Sequence, residues 1–402
     1  MWLIIIIPAL LALFFAVTFA EYRKAFSVRG KEATGFFEYF FSCFPELVRE
    51  DFSCVSGEER LFGIRVRYDG AQKGLIVMIH GYGFNLERYL PQAEYLAKAG
   101  YTIVLFDGTG IGRSSGATIR GLPQHLVDSC AVLDYVLSCP ELSGLPLLLY
   151  GHSWGGFAAN AVSGLPAATG GRRRPSVDGQ PEHSWGGFAA NAVSGLPAAT
   201  GGRRRPSVDG QSGPRQHRHC ERSEAIQEAL KKRYPARGVL SVAGYYDSLG
   251  AMRASIRARY GAPGRAVMFP IAFYQRMAFG RAAGRTSVRG LKAADCPAFL
   301  IHSKDDPILP FEDNFVKIKK ALAGRKDTFF REVDGGNHNL GVPAGVDRQI
   351  RDLQKRLGED AGGGEPQREL WRLQMKLDEN IMKSFLDFFD NCIDTVSAGI
   401  LT

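Results

Sequence analysis

Residues 145–162 read LPLLLYGHSWGGFAANAV. The first part is a continuous apolar run, the pattern of a strand buried on both faces. The last part is a helix former. Between them stands Gly151-His152-Ser153-Trp154-Gly155, a G-x-S-x-G turn. A strand can pass into a helix over so few residues only if small neighbours flank a strained central residue. The chain must therefore bury this strand inside a sheet and pack the helix behind it. The same turn lifts the Ser153 hydroxyl above the sheet edge. It also aims the helix's first N–H groups at any negative charge that develops there.

The rest of the chain keeps that rhythm. LFGIRVRY (61–68) alternates like an outer antiparallel strand. GLIVMIH (74–80), YTIVLFD (101–107), GVLSVAG (238–244), CPAFLIHS (296–303) and TFFREVD (328–334) read as further strands. LERYLPQAEYLAKAG is helical with a stop at Gly100, and HLVDSCAVLDYVLS is an amphipathic helix. Residues 36–49 read as an amphipathic linker or first helix, and 370–389 as one long closing helix. Strand–helix alternation predicts an α/β fold with a mostly parallel sheet flanked by helices, over residues 55–392. Residues 248–289, helical, aromatic and basic, are too long for an ordinary crossover and predict a helical cap.

One segment breaks the rhythm. Residues 152–180 recur without substitution as 183–211, so the serine turn appears twice, at Ser153 and at Ser184. Two copies are too few for a repeat architecture. Pro181-Glu182 precede the second copy, so it has neither the buried strand nor the first glycine, and proline is unsuited to a central strand. Ser153 is the candidate nucleophile and Ser184 a stranded duplicate. The tail GPRQHRHCERSEAIQ is similar to reading frames through dispersed bacterial repeat elements. Residues 167–225 read as inserted sequence, rich in Gly, Pro and Arg and loosely ordered.

The net charge of +9 argues little about partners, because residues 165–237 carry thirteen Lys/Arg against six Asp/Glu. A dedicated nucleic-acid binder spreads basic residues over a folded face, so no nucleic-acid partner is expected. Seven cysteines without metal-ligand spacing read as thiols in a reducing compartment. The start, WLIIIIPALLALFFAVTFA (2–20), would span about 28 Å as a helix, near a bilayer's hydrocarbon thickness. Residues 1–22 are read as a single-pass membrane anchor. Arg23, Lys24, Arg29 and Lys31 follow it, which places the catalytic domain on the cytoplasmic side. The alternative is a signal segment, cleaved after its small residues, and a secreted protein.

A serine hydroxyl becomes a good nucleophile when a histidine takes its proton, and an acid fixes that histidine's tautomer. HSKDDPILP puts Asp306 just past one strand, with Asp305 as its competitor. GGNHNL puts His338 just past the next. Both positions fall at the C-terminal edge of a parallel sheet, where such sites assemble. HGYG (80–83) follows the first buried strand and offers an oxyanion donor, the N–H of Tyr82, to pair with that of Trp154. His80 and His152 read as structural residues of their turns.

These pieces resemble the α/β-hydrolase fold, and within it the branch of serine aminopeptidases and monoacylglycerol lipases. The matching motifs are HGYG (80–83), FDGTGIGRSSG (106–116), GHSWGG (151–156), HSKDDPILP (302–310) and GGNHNL (335–340), in family order. The resemblance implies a triad of Ser153, Asp306 and His338, an oxyanion hole of Tyr82 and Trp154, and a structural role for Asp107 and Arg113. It implies neither metal nor organic cofactor. Two departures stand out: Ser303 where the family more often has glycine, and the insertion straight after the nucleophile helix.

Three functions compete. The first is a serine hydrolase acting on a carboxylic ester, a lipid-like substrate of monoacylglycerol or lysophospholipid type. The second is an aminopeptidase, which needs acids under the cap to hold a free amine; residues 248–289 contain no Asp or Glu. The third is a hydrolase fold whose site the insertion has spoiled.

Overall fold

The computed structural model describes residues 2–27, 29, 35–165, 234–357 and 364–399. Its centre is one sheet of eight strands: β1 (Val48–Ser56), β2 (Glu59–Arg67), β3 (Gly74–Ile79), β4 (Tyr101–Phe106), β5 (Leu147–His152), β6 (Ala236–Val242), β7 (Ala298–Ser303) and β8 (Thr328–Val333). They lie in the order β1-β2-β4-β3-β5-β6-β7-β8. The pairs β1–β2 and β2–β4 are antiparallel, and every other neighbouring pair is parallel. This is the mostly parallel, helix-flanked sheet expected from the alternation.

The continuous apolar runs are explained by two cores, one on each face. Along β3, Leu75, Val77 and Ile79 point into one cluster with the helix Gln124–Ser138 and the elbow helix Trp154–Val162. Ile76 and Met78 point into the other, with Phe36, Phe40, Leu90 and Phe385. Period-two alternation sends successive side chains to opposite faces, so a strand covered on both must be apolar throughout.

Three expectations need correction. The sheet begins at Val48, ahead of the boundary set at residue 55. Residues 48–49, read as the end of a linker, belong to β1. That strand, VREDFSCVS, alternates half-buried and exposed positions because it is the outermost strand, and its polarity hid it. The closing helix is two helices, Glu365–Gln374 and Glu379–Gly399. Asp378 makes the break: its Oδ1 accepts the N–H of Ile381 at 3.0 Å, as an N-cap does. The halves also serve different cores, Leu370 and Leu373 with Ile350 and Leu353, Met382 and Phe389 with the sheet. A helix at Ala344–Leu357 was not anticipated.

Between β6 and β7 stand the helices Ser248–Tyr260, Met268–Phe279 and Ser287–Ala293, joined by 3₁₀ turns. The N-terminal helix runs Trp2–Phe26, and Ile5–Phe26 is long and apolar enough to cross a membrane. Ser184 and the duplicated block at 167–225 lie outside the described residues.

Candidate functional site

Ser153 stands between the end of β5 and the start of the elbow helix with φ 56° and ψ −110°, in a region L-residues seldom occupy. Its N–H donates to the Val242 carbonyl at 2.8 Å, tying the turn to β6. The glycines around it are required by close packing. A Cβ on Gly155 would sit 1.9 Å from the Ile79 oxygen, and one on Gly151 2.2 Å from the Gly155 oxygen.

His338 and Asp306 meet across 32 residues of sequence. His338 Nδ1 lies 2.7 Å from Asp306 Oδ2, and both residues are buried. The other carboxylate oxygen accepts the N–H groups of Ile308 at 2.8 Å and Leu309 at 2.9 Å. Burial alone would raise the Asp306 pKa. Hydrogen bonds from His302 and His338 outweigh it and hold the carboxyl well below the usual carboxylate range. An ionised Asp306 only accepts, so the His338 proton sits on Nδ1 and the lone pair on Nε2. Asp305, the competing acid, is exposed and turned away: it is bonded by Ser303 Oγ and by the Asn337 N–H at 3.3 Å.

His302 escaped the sequence reading as anything but a motif letter. Its Nε2 lies 3.3 Å from Asp306 Oδ2 and 3.0 Å from the Leu309 carbonyl, so it braces the acid from behind. Ser303, the departure from the family pattern, accepts the Gly336 N–H at 3.1 Å and thereby stitches the end of β7 to the His338 loop.

A second bridge ties the histidine loop to the serine turn. His152 Nε2 lies 3.1 Å from the His338 carbonyl oxygen, and the two rings are 4.9 Å apart. Since Nε2 must donate to that carbonyl, Nδ1 accepts from Tyr89 Oη at 2.7 Å. Tyr89 Oη in turn accepts the Gly81 N–H at 2.8 Å. One buried chain thus links the HGYG loop, the residue before Ser153 and the backbone of His338. Tyr89 was read only as a letter in a helix; no short motif marks it. Tyr89→Phe strands a buried N–H and a ring nitrogen, each costing about 1–3 kcal/mol. The expected result is a fall of roughly 2–6 kcal/mol in unfolding free energy, read by urea titration.

The N–H groups of Tyr82 and Trp154 donate to no protein acceptor among the described residues, and their rings are 5.6 Å apart. His80 is structural: the Gly108 N–H donates to its Nε2 at 3.0 Å, so Nδ1 donates to the Gly81 carbonyl. Asp107 closes the following loop, accepting the N–H groups of Leu86 at 2.8 Å and Arg113 at 2.9 Å. The structure brings His338 to Asp306 and to the neighbour of Ser153. Among the described residues Ser153 Oγ and His338 Nε2 make no hydrogen bond to each other, a link that often tightens only around substrate.

The model of the serine aminopeptidase S33 family matches residues 70–169, the stretch that contains the HGYG loop, Asp107 and the serine turn. A monoacylglycerol lipase of Mycolicibacterium smegmatis is 30% identical over 101 residues, 23% of this chain and 35% of that one. An (E)-2-((N-methylformamido)methylene)succinate hydrolase of Acinetobacter baylyi is 33% identical over 89 residues, 22% of this chain and 31% of that one. The matches thus span about a third of the length of each relative. Among solved structures, an esterase of Pyrococcus furiosus aligns over 82% of this chain and 98% of its own at 16% identity and a TM-score of 0.46. An α/β-hydrolase from Vibrio vulnificus aligns over 82% and 88% at 14% identity and a TM-score of 0.48. Strand order and serine turn agree with an α/β-hydrolase fold, and over residues 70–169 the chain is similar to the serine aminopeptidase S33 family.

Proposed function

We propose that the protein is a serine hydrolase that cleaves a carboxylic ester through an acyl-serine intermediate. The observation that supports it best is the His338–Asp306 pair, whose backbone is held against the neighbour of Ser153. In this reading Ser153 Oγ attacks the carbonyl carbon while its proton passes to His338 Nε2. The Tyr82 and Trp154 N–H groups take the oxyanion, and losing one such donor costs ~10²–10³ in rate. Collapse breaks the ester bond, and the leaving alkoxide takes the proton from His338. Water then attacks the acyl carbon with His338 as base and regenerates Ser153. Asp306 stays ionised throughout and stabilises the imidazolium.

The substrate of this reading is a lipid-like acyl ester, of monoacylglycerol or lysophospholipid type. The apolar N-terminal helix supports it, as a membrane anchor or signal segment beside the site. A peptidase reading is favoured by the description of the matching family. Against it stands the absence of any acid in residues 248–289 to hold a free amine. p-Nitrophenyl esters from C2 to C16, run beside aminoacyl p-nitroanilides, test the choice. Turnover that rises with acyl length and no anilide cleavage is the expected result; anilide cleavage without esterase activity overturns it.

A further inference from the structure

The cap helix Met268–Phe279 carries an apolar stripe on its outside. Phe269, Phe273 and Met277 recur every fourth residue and are 71%, 49% and 71% exposed, while Ile271, Gln275 and Phe279 face inward. Exposed arginines, Arg265 and Arg281, follow at either end of the helix. An outward apolar stripe of this size on a small cap is a contact surface.

The N-terminal helix lies against this stripe. Phe15 meets Phe269 at 5.9 Å and Phe273 at 6.1 Å, edge to face in both cases, and Phe19 meets Tyr274 at 4.8 Å. Farther along, Tyr22 and Phe26 are buried in the domain's own core. Phe26 packs on Tyr82 at 6.5 Å, and Tyr82 Oη donates to the Ala25 carbonyl at 3.4 Å. On the outer side Leu10, Leu13 and Val17 remain more than half exposed. The apolar helix therefore does not stand off on a tether. Its last turns are locked to the cap and to the HGYG loop, and its exposed face continues the stripe.

We infer that the N-terminal helix and the cap helix form one lipid-contacting face, which seats the domain cap-down on an anionic leaflet with the Tyr82 side of the site beside the lipid. Charge complementarity selects the occupant: residues 248–289 hold eight arginines and no Asp, Glu or Lys. Basic residues near such a surface each contribute about 1 kcal/mol. The aromatic stripe suits the headgroup–acyl boundary.

The test uses the full chain in phosphatidylcholine vesicles with and without phosphatidylglycerol. An NBD label is placed at Met277→Cys or, as a control, at Phe329→Cys on β8, in a Cys43→Ser/Cys220→Ser background. Both target side chains are exposed, so the labels disturb no core. The expected result is a blue-shifted emission at 277 that doxyl lipid quenches and iodide does not, with the reverse at 329. Arg265→Gln and Arg281→Gln should each weaken the lipid-bound fraction in anionic vesicles, roughly fivefold in its equilibrium. A label at 277 as open to iodide as that at 329 overturns the inference. So does one shielded from iodide yet untouched by doxyl lipid, which would mean a second protein copy covers the stripe. The readout needs no catalysis, so an inactive enzyme leaves it intact.

Discussion

Ser153→Ala is expected to abolish labelling by a fluorophosphonate and to lower ester turnover on the order of 10⁴–10⁶-fold, while Ser184→Ala leaves both unchanged. The two serines share one preceding residue, His152 or His183, and the 27 residues that follow, so chemistry within the block cannot tell them apart. What differs is the chain before each. Ser153 follows β5, whose six residues are all buried, and its N–H is held by Val242. Pro181-Glu182 stand before the second block, where no apolar run exists to end in the turn. The strained backbone at Ser153 costs of order 1–3 kcal/mol and persists only because sheet and helix over-determine it. Labelling read by mass spectrometry of the modified peptide decides the matter. Modification at Ser184 that survives Ser153→Ala would overturn the assignment of the nucleophile, and no modification of the wild-type chain would favour a spoiled site.

The second large effect concerns acid. Three histidines are fully buried and held neutral. Burial pulls His80 down to about 4 and His152 to about 3, and it holds His125 well below its ordinary value, with His80 beside it adding to the effect. His125 is stacked on Trp154 at 4.2 Å, and its Nδ1 has no hydrogen-bond partner for a proton. In the unfolded chain each titrates near 6.5. Below that pH the unfolded state binds more protons than the native state, so stability must fall as pH falls. Each histidine contributes about 1.4 kcal/mol per pH unit, together about 4. Asp107 works the other way. Burial lifts it to about 6 against the N–H groups of Arg113 and Leu86, so the native state gains a proton there that the unfolded state lacks. Asp128, raised by burial in the same direction, opposes the histidines too, so the net expectation is a loss of roughly 1–3 kcal/mol per pH unit between about 6 and 4.5, against a total of about 5–15 for a domain. Urea unfolding at pH 7, 6 and 5 measures it. A flat unfolding free energy over that range would show that these rings are not buried neutral.

Much of this architecture is written locally. Five continuous apolar runs announced β3 to β7, because a strand covered on both faces must be apolar at every position. The glycines around Ser153 announced the elbow, because only they fit within about 2 Å of the neighbouring carbonyls. The order of Ser153, Asp306 and His338 along the chain, each just past a strand, marked one rim of the sheet. Other features left no local trace. β1 is polar because it lies at the edge, and the break at Asp378 depends on two halves of a helix meeting different cores. The motif resemblance named Asp306 over Asp305, but local pattern alone does not separate two adjacent identical letters; in the structure it is Asp306 that lies 2.7 Å from His338.

By itself, then, the sequence determined the layered sheet, the sharp turn at its centre and the candidate chemistry of the rim, since these follow from short-range patterns of size and polarity. Only the tertiary structure decided that Tyr89 and His152 tie the HGYG loop to the His338 backbone, that His302 braces Asp306, and that the N-terminal helix packs on the helix Met268–Phe279. Each of those is a contact across long stretches of chain, where geometry is set by how the layers pack and no neighbouring residues encode it.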